Sequence, residues 1–168
     1  MVASAIVPAL VMQVVLSLFD PSAMKPEAEI VWISLARGVN PHVALAVAQA
    51  ETGNVSEHDD RRDRVVSKGN YGRFQVNCRT WRVPMGLASC DSFMDRHFNI
   101  RAGIAVLSYV QSARGATLDG PTDWVAHYNE GVLISSGGPG ERYARKVKFL
   151  MRRLRLQAED RYRAFNGW

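Results

Sequence analysis

The chain has 168 residues, of which 47% are hydrophobic and 22% charged, and it carries a formal net charge of +5. That length fits one domain with a sizeable core, and the composition is that of a globular protein rather than a disordered or fibrous one. Two cysteines are too few for a cysteine metal site, and His42, His58, His97 and His127 are dispersed without His-Glu-x-x-His spacing, so neither a metal nor another cofactor is expected.

From Met1 to Phe19 no residue is charged, and only Ser4, Gln13 and Ser17 interrupt an apolar or small-residue run. Residues 1–23 therefore read as a secretion-signal core or a short membrane anchor, with an exported, periplasmic or membrane-associated protein as the expectation. No Lys or Arg precedes the run, and Asp20-Pro21-Ser22-Ala23 makes a poor cleavage site. A buried N-terminal helix, as in a phage virion protein, is the alternative.

Beyond this segment, alternating strand patterns are scarce and apolar residues recur at helical spacing, which predicts a mostly α single domain over residues 24–150. Pro26-Glu27 opens a helix whose apolar face runs from Ile30 to Ala36, and Gly38 closes it as a left-handed cap. Asn40 then supplies an N-cap and Pro41 a first helical residue for a second helix. Val43 to Ala48 is apolar all round, so this helix is expected to be buried on most sides until Gly53 ends it. The stretch Asn54 to Lys68, dense in His, Asp and Arg, reads as an exposed, mobile loop. Residues 69–77 suit a short β-ribbon or turn, and Ile100 to Ser112 returns to helical spacing. A short helix over Thr122 to Tyr128, opened by Pro121, precedes a loop at Ser135 to Gly140. In an oxidising compartment Cys78 and Cys90 would close a short loop, worth about 3 kcal/mol on the chain-entropy model.

A basic helix from Glu141 to about Arg163 completes the pattern, with residues 151–168 set apart as a basic C-terminal helix or tail. Glu141 to Trp168 holds nine basic and three acidic residues, a local surplus of +6. Such a segment suits an anionic partner or a solvated helix face. No interleaving of aromatic and basic residues marks a nucleic-acid module, so no specific nucleic-acid binding is expected.

Glu51 stands out on physical grounds. A carboxylic acid at the end of an apolar helix is disfavoured as an anion both by burial and by the negative end of the helix dipole. Glycosidic cleavage needs such a proton-holding group, because the leaving oxygen must be protonated as the bond breaks.

Five ordered stretches add to that reading. Ala50-Glu51-Thr52 follows the Asn-Pro-opened helix; Ser67 to Asn77 has the form Ser-x-Gly-x-x-Gly-x-x-Gln; Asn99-Ile100-x-x-Gly103 opens a helix; Ala126 to Gly131 carries Tyr128-Asn129-x-Gly131; and Tyr143-Ala144-Arg145-Lys146-Val147 closes the series. In this order they resemble the signature segments of lytic transglycosylases and goose-type lysozymes, over roughly Ile30 to Leu150. The resemblance implies a lysozyme-like fold and cleavage of the β-1,4 bond between N-acetylmuramic acid and N-acetylglucosamine in peptidoglycan. It implies Glu51 as the acid and Tyr128 as the residue whose hydroxyl orients it. Gln75 would bond the sugar and Ser67 an N-acetyl group, Asn129 would brace the region, and Tyr143 would stack on or bound the cleft. Ordinary roles stand beside these: a turn-stabilising Gln75, a capping Ser67, and packing aromatics at Phe74, Tyr128 and Tyr143.

The sequence departs from the family pattern at Arg73-Phe74, where a Leu-Met pair is usual, by one inserted residue before Tyr128, and at Thr52, which keeps the hydroxyl of the usual Ser. Arg73 reads as solvated or as facing a carboxylate of the substrate. The resemblance implies a non-hydrolytic reaction giving 1,6-anhydromuramoyl ends. A hydrolytic muramidase is the alternative, with Asp63, among Glu57, Asp59, Asp60 and Asp63, positioning water. Another is a non-catalytic glycan-binding assembly module. The implied partners are peptidoglycan strands and a secretion, conjugation or pilus machinery, or a phage particle.

Overall fold

The computed structural model describes residues 25–53, 60–114, 124–131 and 136–166. The apolar segment at residues 1–23, the acids Glu57 and Asp59, and the helix-opening Pro121-Thr122-Asp123 lie outside the described residues. What is described is mostly helical, with one small antiparallel sheet.

Helix α1 (Pro26–Ala36) and helix α2 (Pro41–Thr52) follow their sequence signals. Asn40 caps α2 by accepting the His42 N–H at 2.9 Å. Gly38 and Gly53 take φ of +67° and +68° where the two helices end. Because α2 is apolar all round, it packs between α1 and the last helix, with Val43, Ala44, Ala46 and Val47 fully buried.

The segment read as an exposed loop departs from that reading. Asp60–Arg64 forms a 3-10 helix in which Arg62 and Asp63 are buried. Long-range charge satisfaction explains the difference. Asp63 accepts from Arg73 Nε at 2.8 Å and Nη2 at 3.2 Å, and Arg73 is wholly buried. Arg73 is therefore neither solvated nor turned toward a substrate; with Glu27 a further 3.8 Å from its guanidinium, it is the charged centre of a buried cluster.

The expected ribbon begins slightly earlier than the sequence suggested. Strands β1 (Val66–Ser67), β2 (Asn70–Tyr71) and β3 (Val76–Asn77) pair in that order, Ser67 opposite Asn70 and Tyr71 opposite Val76. A short helix α3 (Cys78–Trp81) follows, and Cys78 is disulfide-bonded to Cys90, with Cα atoms 5.7 Å apart. Helix α4 (Arg96–Arg114) is longer at both ends than the periodicity indicated.

Two close approaches lock the sheet to α4. Asn99 accepts the Phe74 N–H at 2.9 Å and donates to Tyr71 O at 2.8 Å and Phe93 O at 3.0 Å. A Cβ on Gly72 would collide with the Asn99 amide, and one on Gly103 would collide with the Phe74 ring. Phe74 is thus core, and the spaced glycines are steric requirements of the sheet–helix contact. In the same first turn of α4, His97 Nδ1 bonds buried Glu29 of α1 at 3.0 Å.

Helix α5 (Ala126–Glu130) is a single short turn region, and helix α6 (Pro139–Asn166) runs without a break past residue 150. Pro139 and Gly140, read as loop, are its first helical residues; Pro is well placed there because its missing N–H has no intrahelical partner to lose. Val147 and Leu150 enter the core and Leu154 packs against it.

Removing one member of a buried ion pair strands the other charge, at a typical cost of about 3 kcal/mol or more. Asp63→Ala is therefore expected to lower the unfolding free energy by about that much in a denaturant titration. A loss near zero would contradict the pairing with Arg73.

Candidate active site

The end of α2 carries Glu51, and its backbone carbonyls are satisfied from two other parts of the chain. Terminal carbonyls of a helix lack intrahelical donors and carry the negative end of its dipole. Arg62 Nη2 donates to Ala48 O, and Arg62 Nε donates to Thr52 Oγ1 at 2.6 Å. The Thr52 hydroxyl donates to Ala48 O at 2.8 Å, so the retained hydroxyl is the hinge of this clasp. Lys146 of α6 donates to Ala50 O at 2.7 Å. Two cations thus bond carbonyls in the last turns of the helix that carries Glu51.

Glu51 itself is half-buried, and its Oε1 accepts the Tyr143 hydroxyl at 2.6 Å. Tyr128 instead donates to Phe74 O at 2.7 Å. The orienting hydroxyl therefore belongs to Tyr143, and Tyr128 ties α5 to the sheet. The two rings stack with centroids 6.5 Å apart and 13° between planes, which sets Tyr143's direction. Burial pushes the Glu51 carboxyl above its ordinary range, against the smaller opposing pulls of the Tyr143 hydrogen bond and the Lys146 charge. Burial, reinforced by the nearby Glu51 charge, also pushes both phenols well above their usual range, so each remains a neutral donor.

Glu51 opens on a cleft of about 350 Å³ between the sheet, α4 and α5. Gln75, Tyr128 and Asn129 line it as well. Gln75 adopts φ +47°, a left-handed conformation that is costly for a residue with a Cβ and recurs at functional sites. Its amide donates to Val65 O at 3.0 Å and Gly72 O at 2.8 Å. An amide has two N–H donors, and both are spent on the turn. Gln75 accordingly holds the turn and lines the cleft at once. Ser67 lies on the exposed strand β1 and is not among the cleft-lining residues. Tyr143 reaches Glu51 without lining the cleft.

Several lining residues have no counterpart in the sequence reading. Asn70 and Asn77 meet across the sheet at 2.7 Å, and Asn77 also caps α3 through Thr80. Trp81 offers an aromatic face, held edge-on by Tyr109 at 5.7 Å. Its position four residues after the ribbon was the available signal, since sugar sites favour aromatics with a polar rim. Glu130 is a second carboxylate on the cleft wall, accepting the Gly140 N–H at 2.8 Å. Asp63, by contrast, is committed to Arg73.

This set combines one proton-holding carboxyl group, neutral phenol donors, amides and an indole. It is suited to protonating and deprotonating oxygens on a polyhydroxylated substrate.

A carboxyl group whose folded value exceeds its unfolded one contributes stability fully present below the unfolded value and lost as pH rises through the folded one. Glu51→Gln, which cannot ionise, is expected to gain on the parent protein as pH rises, with the largest difference at neutral pH and little at about pH 4. Thermal melts across that range check this; a difference independent of pH would rule out the raised value. No protein-family model, curated protein or solved structure matches this chain, so the cleft is read from its own geometry.

Proposed function

We propose that the protein is a peptidoglycan lytic transglycosylase of lysozyme-like fold, with Glu51 acting first as acid and then as base. The observation that carries this reading is the carboxyl group of Glu51, raised by burial, clasped at a helix terminus and opening on a cleft lined with amides and Trp81. In the proposed reaction Glu51 gives its proton to the oxygen linking C1 of N-acetylmuramic acid to N-acetylglucosamine, and that C1–O bond breaks. The substrate's own N-acetyl oxygen stabilises C1. The C6 hydroxyl of the same muramic residue then bonds to C1 and returns its proton to Glu51, so no water is consumed and a 1,6-anhydro end results.

The Tyr143 hydrogen bond and the Lys146 charge support this double duty. Both favour the carboxylate that exists between the two steps, while burial favours the acid that begins them. The pairing of Asp63 with Arg73 weighs against Asp63 as the acid that would position water in the hydrolytic alternative. In this reading Gln75, which lines the cleft, accepts from a sugar hydroxyl or amide through its carbonyl, and Trp81 covers a ring face. A role in opening the wall for secretion, conjugation or pilus machinery, or for phage entry, belongs to the same proposal.

General acid–base catalysis contributes roughly 10²–10⁴-fold, so Glu51→Gln is expected to lower the cleavage rate by about 10³-fold. Mass spectrometry of products released from purified sacculi is expected to show anhydro ends; reducing ends carrying one added water would overturn the non-hydrolytic reading. Tyr143→Phe removes a group that lowers the Glu51 value. Its pH–rate profile is expected to keep activity to higher pH than the parent while the maximum rate falls about tenfold. An alkaline limb that moves to lower pH would contradict the assignment of Tyr143.

A further inference from the structure

We propose that the outward face of α6 docks the protein on an anionic phospholipid surface, with Phe149 and Leu156 as apolar anchors. The two are seven residues apart, two helical turns, so they point in nearly the same direction. Both are well exposed, at 65% and 60%. At 100° per residue, Arg145, Arg152, Arg153 and Arg163 fall within about 60° of the same line, and all are exposed. Asp160 is the one acid on that face among the described residues. Arg145 also bonds Glu141, one turn back.

The opposite face of the helix is committed to the core through Tyr143, Val147 and Leu150, so docking needs no rearrangement of the fold. Residues Arg145 to Arg163 extend the row over about 27 Å at 1.5 Å per residue. A bilayer interface accommodates this whole pattern. Guanidinium forks bind phosphate bidentately, and apolar side chains set among them enter the boundary between headgroups and acyl chains. A glycan strand would offer Phe149 a sugar face but gives Leu156, on the same line, no comparable partner. Among the described residues no helix is long and apolar enough to cross a membrane. This inference is independent of the chemistry performed in the cleft.

The test is co-sedimentation of the full chain with vesicles of phosphatidylglycerol and phosphatidylcholine, and with vesicles of phosphatidylcholine alone, across a salt series. The proposal expects preference for the anionic vesicles that weakens with salt. It expects that preference to fall about tenfold or more in Arg152→Glu/Arg153→Glu, with a smaller loss in Phe149→Ser/Leu156→Ser. Met1 to Phe19 carries no charge, so affinity from that segment would survive both salt and the arginine substitutions. Circular dichroism confirms that the variants remain folded, as their side chains are exposed. Equal partitioning of the parent protein to both vesicle types overturns the proposal. So does an anionic preference that the arginine pair leaves unchanged, or loss of binding to purified sacculi with vesicle binding intact, which would assign the face to the wall polymer.

Discussion

A buried helix must end somewhere, and the way α2 ends governs the candidate site. Ala50 O is one of its last four carbonyls and has no intrahelical donor, and an unsatisfied buried carbonyl costs on the order of 1–3 kcal/mol. Arg62 and Lys146 meet Ala48 O and Ala50 O, and the Thr52 hydroxyl joins the first of these bonds. The donors come from a 3-10 helix and from α6, far apart in sequence. Closing the terminus therefore fixes three elements together, and Glu51 is held at their junction. The carboxyl group is positioned by backbone satisfaction before any substrate is considered.

The same logic explains the buried ion pair. Arg62 reaches α2 only if the 3-10 helix lies against the domain, and Asp63 within that helix is then buried. Arg73 answers it from the turn between β2 and β3, alongside Gln75. A pair of this kind adds little net stability over an apolar isostere, but it penalises every arrangement that separates its members. Here it joins the turn that carries a cleft residue to the segment that clasps the helix bearing Glu51. A leucine at position 73 would leave the Asp63 carboxylate without the guanidinium that it accepts from.

How far the sequence could be read follows from these contacts. Helices α1 and α2 were legible because their caps and apolar runs are local: Asn40, Pro41 and Gly53 act within a turn of themselves. The glycine and asparagine spacings of Gly72, Asn99 and Gly103 were legible only as a pattern; their reason, mutual steric fit, appears once the sheet meets α4. The stretch at residues 60–64 was misread because its polar composition is also that of a loop, and nothing local announces that Arg62 and Asp63 have distant partners. Tyr128 and Tyr143 show the same limit. Both lie near Glu51, and hydroxyl direction depends on the stacking of the two rings and on Phe74 O, neither of which a spacing encodes.

Glu51 gathers opposing influences rather than a single large one. Full burial without partners would keep its proton too firmly for it ever to act as an anion. Full exposure would leave it ionised at neutral pH and unable to begin as an acid. Tyr143 and Lys146 temper the desolvation, and both stand on the buried and flanking sides of α6, one turn apart. That placement means the balance is set by how α6 seats against α2. Any change that shifts the seating moves the hydrogen bond and the charge together, in the same direction. In the proposed reaction Glu51 leaves as an acid and returns as a base, which needs its two protonation states close in free energy, and one helix carrying both correcting groups is a direct way to hold them there.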